Sequence, residues 1–547
     1  MKNSFLFIKI LVVFLSLSAT SQQVLSQPVQ LSDGYLDVGL DYFTIGIPKF
    51  LESHNGTHVV YLSGEDDDFA HRIFSAPTTG SGPVVELTSQ ETSSARFFEI
   101  SPNGKRVVFA TYESLYSVPI EGGVPIRLND NLIPSRKDFK ISSDSNTVVF
   151  MNDQDLWAVS ILGGDNTKIT VGQPEGGIGF SSFRFSPDNE YVFYGFYRKT
   201  EEGEPIHGLY RADIGGGQTI LDLLPQLEVG QRISNFLLSA DGNSIAYQID
   251  EFDGPSFIGG PSFIGSVSIG GDARSHYLAK SRSESLSLLS LSADGSNAYF
   301  SVGESSYDLK KIMSVSLNQS SSVVNEVVNV GSLTIEHVHI LRSEKGVVFS
   351  TFDVSSGIRE VKFKSVEAIN QPVIILARLK SNQWESPYVF LNANESVMTF
   401  LTKNRSVGSI DQHLTVIDLV QRSSRLIANR QFPETETDHR IYNVLTSNSS
   451  KRVFFLDVLD TPNQNTVLKS LSTNGGAAFP LSWGLTGAPT VFNYRLSHDE
   501  KRIFFTAGYV KGDRARFKLF AVDVDRSEEE FCFPLKAKNQ KLATVCL

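Results

Sequence analysis

The stretch ISPNGKRVVFATYESLYSVPIEGGVPIRL, Ile100 to Leu128, decides the reading of this chain. Ser101-Pro102-Asn103-Gly104 is a turn, because proline presets φ while asparagine and glycine tolerate positive φ, and the apolar runs around it are of strand length. Leu115 to Ile120 alternates as a second strand and stops at Gly122-Gly123, and a third short run ends at Leu128. The opening piece returns as ISSDSNTVVF from Ile141, FSPDNEYVFY from Phe185, LSADGNSIAY from Leu238, LSADGSNAYF from Leu291 and LSHDEKRIFF from Leu496. The second piece returns as LWAVSILGG from Leu156, LYRADIGGG from Leu209 and LFAVDVD from Leu519. Weaker units begin SHNGTHVVY at Ser53, EKGVVFS at Glu344, NANESVMTF at Asn392 and SNSSKRVFF at Ser447.

With the turn serine or its equivalent as marker, the units fall at 53, 101, 142, 186, 239, 292, 341, 391, 447 and 497, spaced by 41 to 56 residues. Repeats of this length and strand content are β-propeller blades, and a solenoid of the same grammar would use shorter coils and distinct end caps. The expected fold is therefore an all-β propeller of about ten blades, in one large ring or two tandem rings. The segment Tyr35 to Ile47, containing YFTIGI, either completes the last blade and closes the circle or is an ordinary surface segment.

The motif ISPNGKRVVF…LYSVPIEGGVPIRL resembles the blade repeat of TolB-type propellers, a relative of the WD-type repeat, over about residues 50 to 530. That resemblance implies a propeller and an envelope or exported setting, and it does not choose a function, since blades of this type serve periplasmic binding proteins, lyases and the propeller halves of peptidases. The roughly 25 residues between the expected leader and the first marker are too few for the α/β domain that precedes the TolB propeller, so that domain is not expected here, and ten repeats exceed that family's six blades.

Composition sets the outer limits. The 547 residues are 41% hydrophobic and 20% charged, enough apolar material for a large core. With 49 basic and 60 acidic residues the formal charge is −11, which disfavours binding to a phosphate backbone. Lys2 and Lys9, the apolar run Ile10 to Leu17 and the small or polar residues up to Ser26 follow the grammar of a secretory signal, too short in its apolar part to span a bilayer. The expected organisation is a leader over 1–26 and a propeller over 27–547, periplasmic or secreted, with no transmembrane segment after cleavage. Cys532 and Cys546 are the two cysteines, and an oxidising compartment makes them a plausible disulfide.

Site candidates follow from strand alternation. The residue before each marker (Ile100, Ile141, Phe185, Leu238, Leu291, Ile340, Leu496) should pack between sheets, and the one before that should face the other way. Those second positions are Glu99, Lys140, Arg184, Leu237, Ser290, His339 and Arg495, five of which can carry charge. They are either a channel mouth that takes a polar or anionic group or ordinary solvated strand faces. His337 and His339 share a strand face without an identifiable third metal ligand. The run Glu65 to Asp68 lacks the ligand spacing of a calcium loop. Gly254 to Gly265 is a tandem duplication, GPSFIGGPSFIG, which either exposes Phe257 and Phe263 for a partner or tucks phenylalanine into a blade.

No Gly-x-Ser-x-Gly nucleophile motif and no glycine-rich phosphate loop occurs. The chain reads as a non-enzymatic binding or scaffold propeller for an envelope or extracellular protein or glycan, with no cofactor and no nucleic acid. The alternative is a metal-dependent polysaccharide lyase resembling oligogalacturonate lyases, drawing on Arg184, His337, His339 and Arg495.

Overall fold

The computed structural model describes residues 28–32, 50–64, most of 71–524, and two short strands at 532–535 and 543–546. The predicted leader, the Tyr35 to Ile47 segment, the acidic run from Glu65 and Phe257 lie outside the described residues. Among the described residues there is no α-helix, and hence no helix long and apolar enough to cross a membrane.

Ten antiparallel blades follow one another along the chain. Blades 1 to 5 occupy 50–86, 97–127, 134–168, 176–222 and 231–281. Blades 6 to 10 occupy 285–329, 334–380, 388–433, 441–480 and 490–523, and a single bridge between Leu309 and Ile335 links blade 6 to blade 7. In each, the first strand of the repeat is innermost and the later strands are added outward in sequence order. Blade 10 has only three strands of its own, and Val29–Gln30 adds the fourth by pairing with Ala521 and Phe520. The strand that completes blade 10 thus comes from upstream of the Tyr35 to Ile47 segment. Leu31 and Ser32 extend the join: Leu31 N–H donates to the Leu519 carbonyl at 2.8 Å, and Leu519 N–H donates to Ser32 Oγ at 2.9 Å.

The repeat marker is a hydrogen-bonded cap. Ser101 Oγ donates to Asn103 Oδ1 (2.8 Å) and accepts from Arg106 N–H (2.9 Å), while Asn103 Oδ1 also accepts from Lys105 N–H (3.0 Å). The same trio forms at Ser142–Asp144, Ser239–Asp241, Ser292–Asp294 and Ser497–Asp499. In blade 8 Asn392 takes the part of the serine, its Oδ1 accepting from Val397 N–H at 2.9 Å, so the cap begins one residue later than the marker at 391. Holding the carboxylate in its ionised form, these bonds depress Asp144, Asp188 and Asp241, and lower Asp294 to about 2.

The fourth cap residue is left-handed. Glycine fills it at Gly104 (φ 70°), but Ser145, Asn189, Ser450 and Glu500 also adopt positive φ there. All four of those side chains bond back to the preceding blade, Ser450 Oγ accepting from Asn392 Nδ2 at 3.1 Å, which offsets the backbone strain. Ser145 Oγ accepts from Asn103 N–H at 3.0 Å, Asn189 Oδ1 from Ser143 N–H at 3.1 Å, and Glu500 Oε2 from Ser449 N–H at 3.0 Å. The turns of neighbouring blades are therefore clasped at one end of the sheets.

The core lies between blades rather than within them. Nine apolar clusters join successive blades from 1 to 10. A tenth joins blade 10 back to blade 1 through Leu31, Phe50, Tyr61, Phe504, Phe517 and Leu519. The residues expected to pack before each marker do so: Ile100 and Leu291 are buried, and Ile141, Phe185, Leu238, Ile340 and Leu496 are partly buried against these clusters.

Phe263 is not a surface aromatic. The second copy of the duplication supplies the third strand of blade 5, Ser262–Ser268, paired on both sides, and Phe263 is 5% exposed in the cluster between blades 4 and 5. Gly265 is required there, because a Cβ would stand 2.2 Å from the Tyr247 ring. Cys532 and Cys546 are opposite each other in the Cys532–Leu535 and Ala543–Cys546 ladder, and their side chains lie outside the described residues.

Candidate functional site

The inner-strand cations occupy the seams between blades. Lys140 Nζ donates to the Phe183 carbonyl at 2.7 Å and stands 5.3 Å from the Phe183 ring, tying blade 3 to blade 4. Arg184 lies 5.4 Å over Phe236 of blade 5, and Arg495 lies 5.9 Å over Phe50 of blade 1. In all three cases the ring is the buried aromatic three residues before the next marker, so each cation packs over the following blade. Lys140 is half-buried; Arg184 and Arg495 are exposed.

A cleft of about 440 Å³ opens where blade 10 meets blade 1 and continues over blades 2 and 3. Its size falls in the range of small-ligand sites, roughly 300–1,000 Å³. The walls combine Arg495, Glu99, Glu52, His54 and His498 with an apolar floor of Leu51, Ile100, Pro102, Ile141 and Leu496. Arg495 and Glu99 project from the inner strands Thr490–Leu496 and Phe97–Ile100, and the two histidines sit on the clasped turns.

One oxygen organises the seam. Glu52 Oε2 accepts the backbone N–H of His498 at 2.9 Å and lies 2.8 Å from the His498 Nδ1. The Glu52 side chain is 8% exposed and that of His498 54%. Burial pushes the Glu52 carboxyl above its ordinary value, while the hydrogen bonds and positive charge of His498 pull it back in part. His54 stands beside His498, ring centroids 5.6 Å apart. The arrangement presents one imidazole braced by Glu52, a second beside it, and an exposed guanidinium in a cleft with aliphatic surface.

Glu99 and Arg495 are thus brought together, whereas Lys140 and Arg184 belong to other seams and His337 and His339 to the inner strand Thr334–Leu341 of blade 7. Burial, reinforced by the charge of His337, holds the His339 imidazole below the usual histidine range, and Glu395 opposes the shift. Among the described residues no three histidine, cysteine, aspartate or glutamate side chains are grouped to hold a metal ion.

The sequence-based reading passed over Glu52, His54 and His498 as site residues. Glu52 carries a signal: it occupies the slot before the marker, where other blades place Ile100, Ile141, Phe185 or Leu291. A carboxylate in a packing slot indicates a special seam. His498 also replaces the proline found at Pro102 and Pro187.

No protein-family model matches the sequence, and a search of curated proteins finds no match. Among solved structures, a eukaryotic initiation factor aligns with 12% identity over 79% of this chain and 97% of its own, at a TM-score of 0.46. The Porphyromonas gingivalis dipeptidyl peptidase 4 aligns with 10% identity over 75% of this chain and 64% of its own, at 0.44. An oligogalacturonate lyase in complex with manganese aligns with 9% identity over 87% of this chain and 98% of its own, at 0.37. At such identities and scores the fold assignment rests on the sheet order and inter-blade packing described above. By those criteria the chain is an all-β propeller built of four-stranded antiparallel blades.

Proposed function

We propose that the protein is an exported, non-enzymatic binding propeller, a single ring of ten blades that holds a protein or glycan partner in the cleft at its closure. A leader over residues 1–26 would deliver it to the periplasm or the exterior, and the blade grammar resembling TolB-type propellers supports such a setting. The cycle of ten inter-blade clusters, with blade 10 packed on blade 1, supports one ring over two.

The observation that carries the reading is the cleft itself. An exposed guanidinium and two neighbouring imidazoles, one of them braced by Glu52, line one cleft with half-buried aliphatic surface. Such a concave, mostly apolar surface with a few fixed polar groups suits recognition.

The test is to probe glycan and peptide arrays with labelled wild-type protein and with the variants R495E and R184E. Ligands lost with R495E and kept with R184E support the cleft. Ligands kept by both variants would remove it, and turnover of an acidic polysaccharide into unsaturated products would replace the binding reading with the lyase one.

A further inference from the structure

The cleft also carries information about what it binds, on the reading that it is the binding site. Arg495 is exposed, its guanidinium is supported by the Phe50 ring, and among the described residues no carboxylate stands within ion-pair distance of it. A guanidinium held over a ring with its donors unspent is an anion receptor, and its planar fork matches a carboxylate. The cleft is also lined by Glu99, from the inner strand of blade 2, and by the buried Glu52, on a chain of formal charge −11. This field admits one anionic group beside Arg495 and repels a ligand that carries many.

The floor narrows the class further. Sugar rings are held by the open faces of aromatic side chains, and the two aromatics at this cleft, Phe50 and Phe504, are each 1% exposed. What the cleft offers instead is aliphatic: Leu51, Ile141 and Leu496 are half-buried, with Ile100 and Pro102 between them. We infer that the cleft binds the carboxyl-terminal end of a peptide or protein with apolar final residues, the terminal carboxylate on Arg495 and the last side chains on the aliphatic floor.

The experiment is isothermal titration of the full chain with three probes: acetyl-trileucine as the free acid, the same peptide as its carboxamide, and an acetyl-leucyl-aspartyl-leucine carboxamide. The free acid is expected to bind at least about tenfold more tightly than either amide, as expected for a charge-assisted bidentate contact. In R495Q the acid and its amide should become equivalent, and R495K should recover only part of the difference. In E99Q the acid should bind more tightly, because a like charge is gone.

Equal affinity for acid and amide in the wild type would overturn the inference. Preference for the aspartyl peptide would assign Arg495 to an acidic side chain instead and overturn the terminal assignment. Binding of a trigalacturonate probe that R495Q abolishes, with no peptide bound, would refute the peptide class while leaving the cleft as the binding site. If neither the peptides nor trigalacturonate bound saturably at millimolar concentration, the cleft itself would fall. Because Arg495 is exposed, the variants should keep the urea midpoint of the wild type, which separates loss of binding from loss of fold.

Discussion

Replacing Leu31 by alanine tests how the molecule is closed. Leu31 is 2% exposed and packs in the cluster that joins blade 10 to blade 1, against Phe50, Phe504, Phe517 and Leu519. Its backbone N–H bonds Leu519, so the residue is held in register while the side chain is cut back. Truncating a fully buried leucine costs about 2–5 kcal/mol from lost burial and the cavity left behind. In a repeat structure stability is divided among neighbouring interfaces, so the cost should appear as opening of this seam before global unfolding. At about 1.4 kcal/mol per tenfold, the open population should rise roughly 30-fold or more. Hydrogen–deuterium exchange reads this directly: amides of the strands Phe50–Glu52, His58–Gly64 and Arg502–Lys511 should lose protection. A matched control is Ile312→Ala, equally buried between blades 6 and 7, which should deprotect its own seam and spare this one. Unchanged exchange at the blade 10–blade 1 seam in L31A, with the control behaving as described, would show that the N-terminal strand does not close the ring.

Three further outcomes are expected. Gly104→Ala should lower the urea stability of the protein by about 1–2 kcal/mol from backbone conformation alone, and by more because its Cβ would meet the Asn55 side chain at 2.6 Å. An equal or higher urea midpoint would contradict the left-handed cap. The cap aspartates have folded-state values below their unfolded ones, Asp294 at about 2, so the stability they confer is complete above about pH 4 and is lost as pH falls toward 2. Urea midpoints recorded from about pH 5 down to about 2.5 should therefore decline, and less so in D294N than in wild type; a flat profile would refute this. Asp457, with its side chain 2% exposed, bonds Arg430 at 2.6 Å and Lys469 at 2.5 Å, so Asp457→Ala should cost about 3 kcal/mol by leaving two cations without this carboxylate. Lys469→Met should cost less, because Arg430 still neutralises the carboxylate, and the two midpoints give the comparison.

The fold was legible in the sequence because its signal is local and repeated. Ser101, Asn103 and Gly104 each have a bonding or conformational job within one turn, and the return of such turns at blade spacing fixes the architecture. Closure was less legible. Val29–Gln30 is a two-residue strand, too short for any periodicity, and Leu31 gains its partners from blade 10, nearly the whole chain away. The longer YFTIGI segment, which lies outside the described residues, has the stronger strand pattern.

The site was legible in part. The residues before the markers pack against the inter-blade clusters, Leu237 at a neighbouring position packs as well, and Glu99 and Arg495 line one cleft. Alternation could not show that Lys140 would spend its charge on the Phe183 carbonyl, because that partner is set by how far blade 4 is rotated against blade 3. Phe263 shows the same limit: its Gly/Pro surroundings look like an exposed loop, and the pairing of the second copy with strands on both sides buries it. Glu52 shows the converse, since a single residue out of pattern marks the seam that carries the cleft.

Electron cryo-microscopy of the purified mature protein, sorted for views down the axis, is the most direct measurement of the central claim that one ring closes at blade 10 and builds the cleft there. The account predicts a single ring of ten blades around one channel, with density for the N-terminal strand on the outside of blade 10. Two smaller rings side by side, or a ring whose last blade lacks that strand, would contradict it.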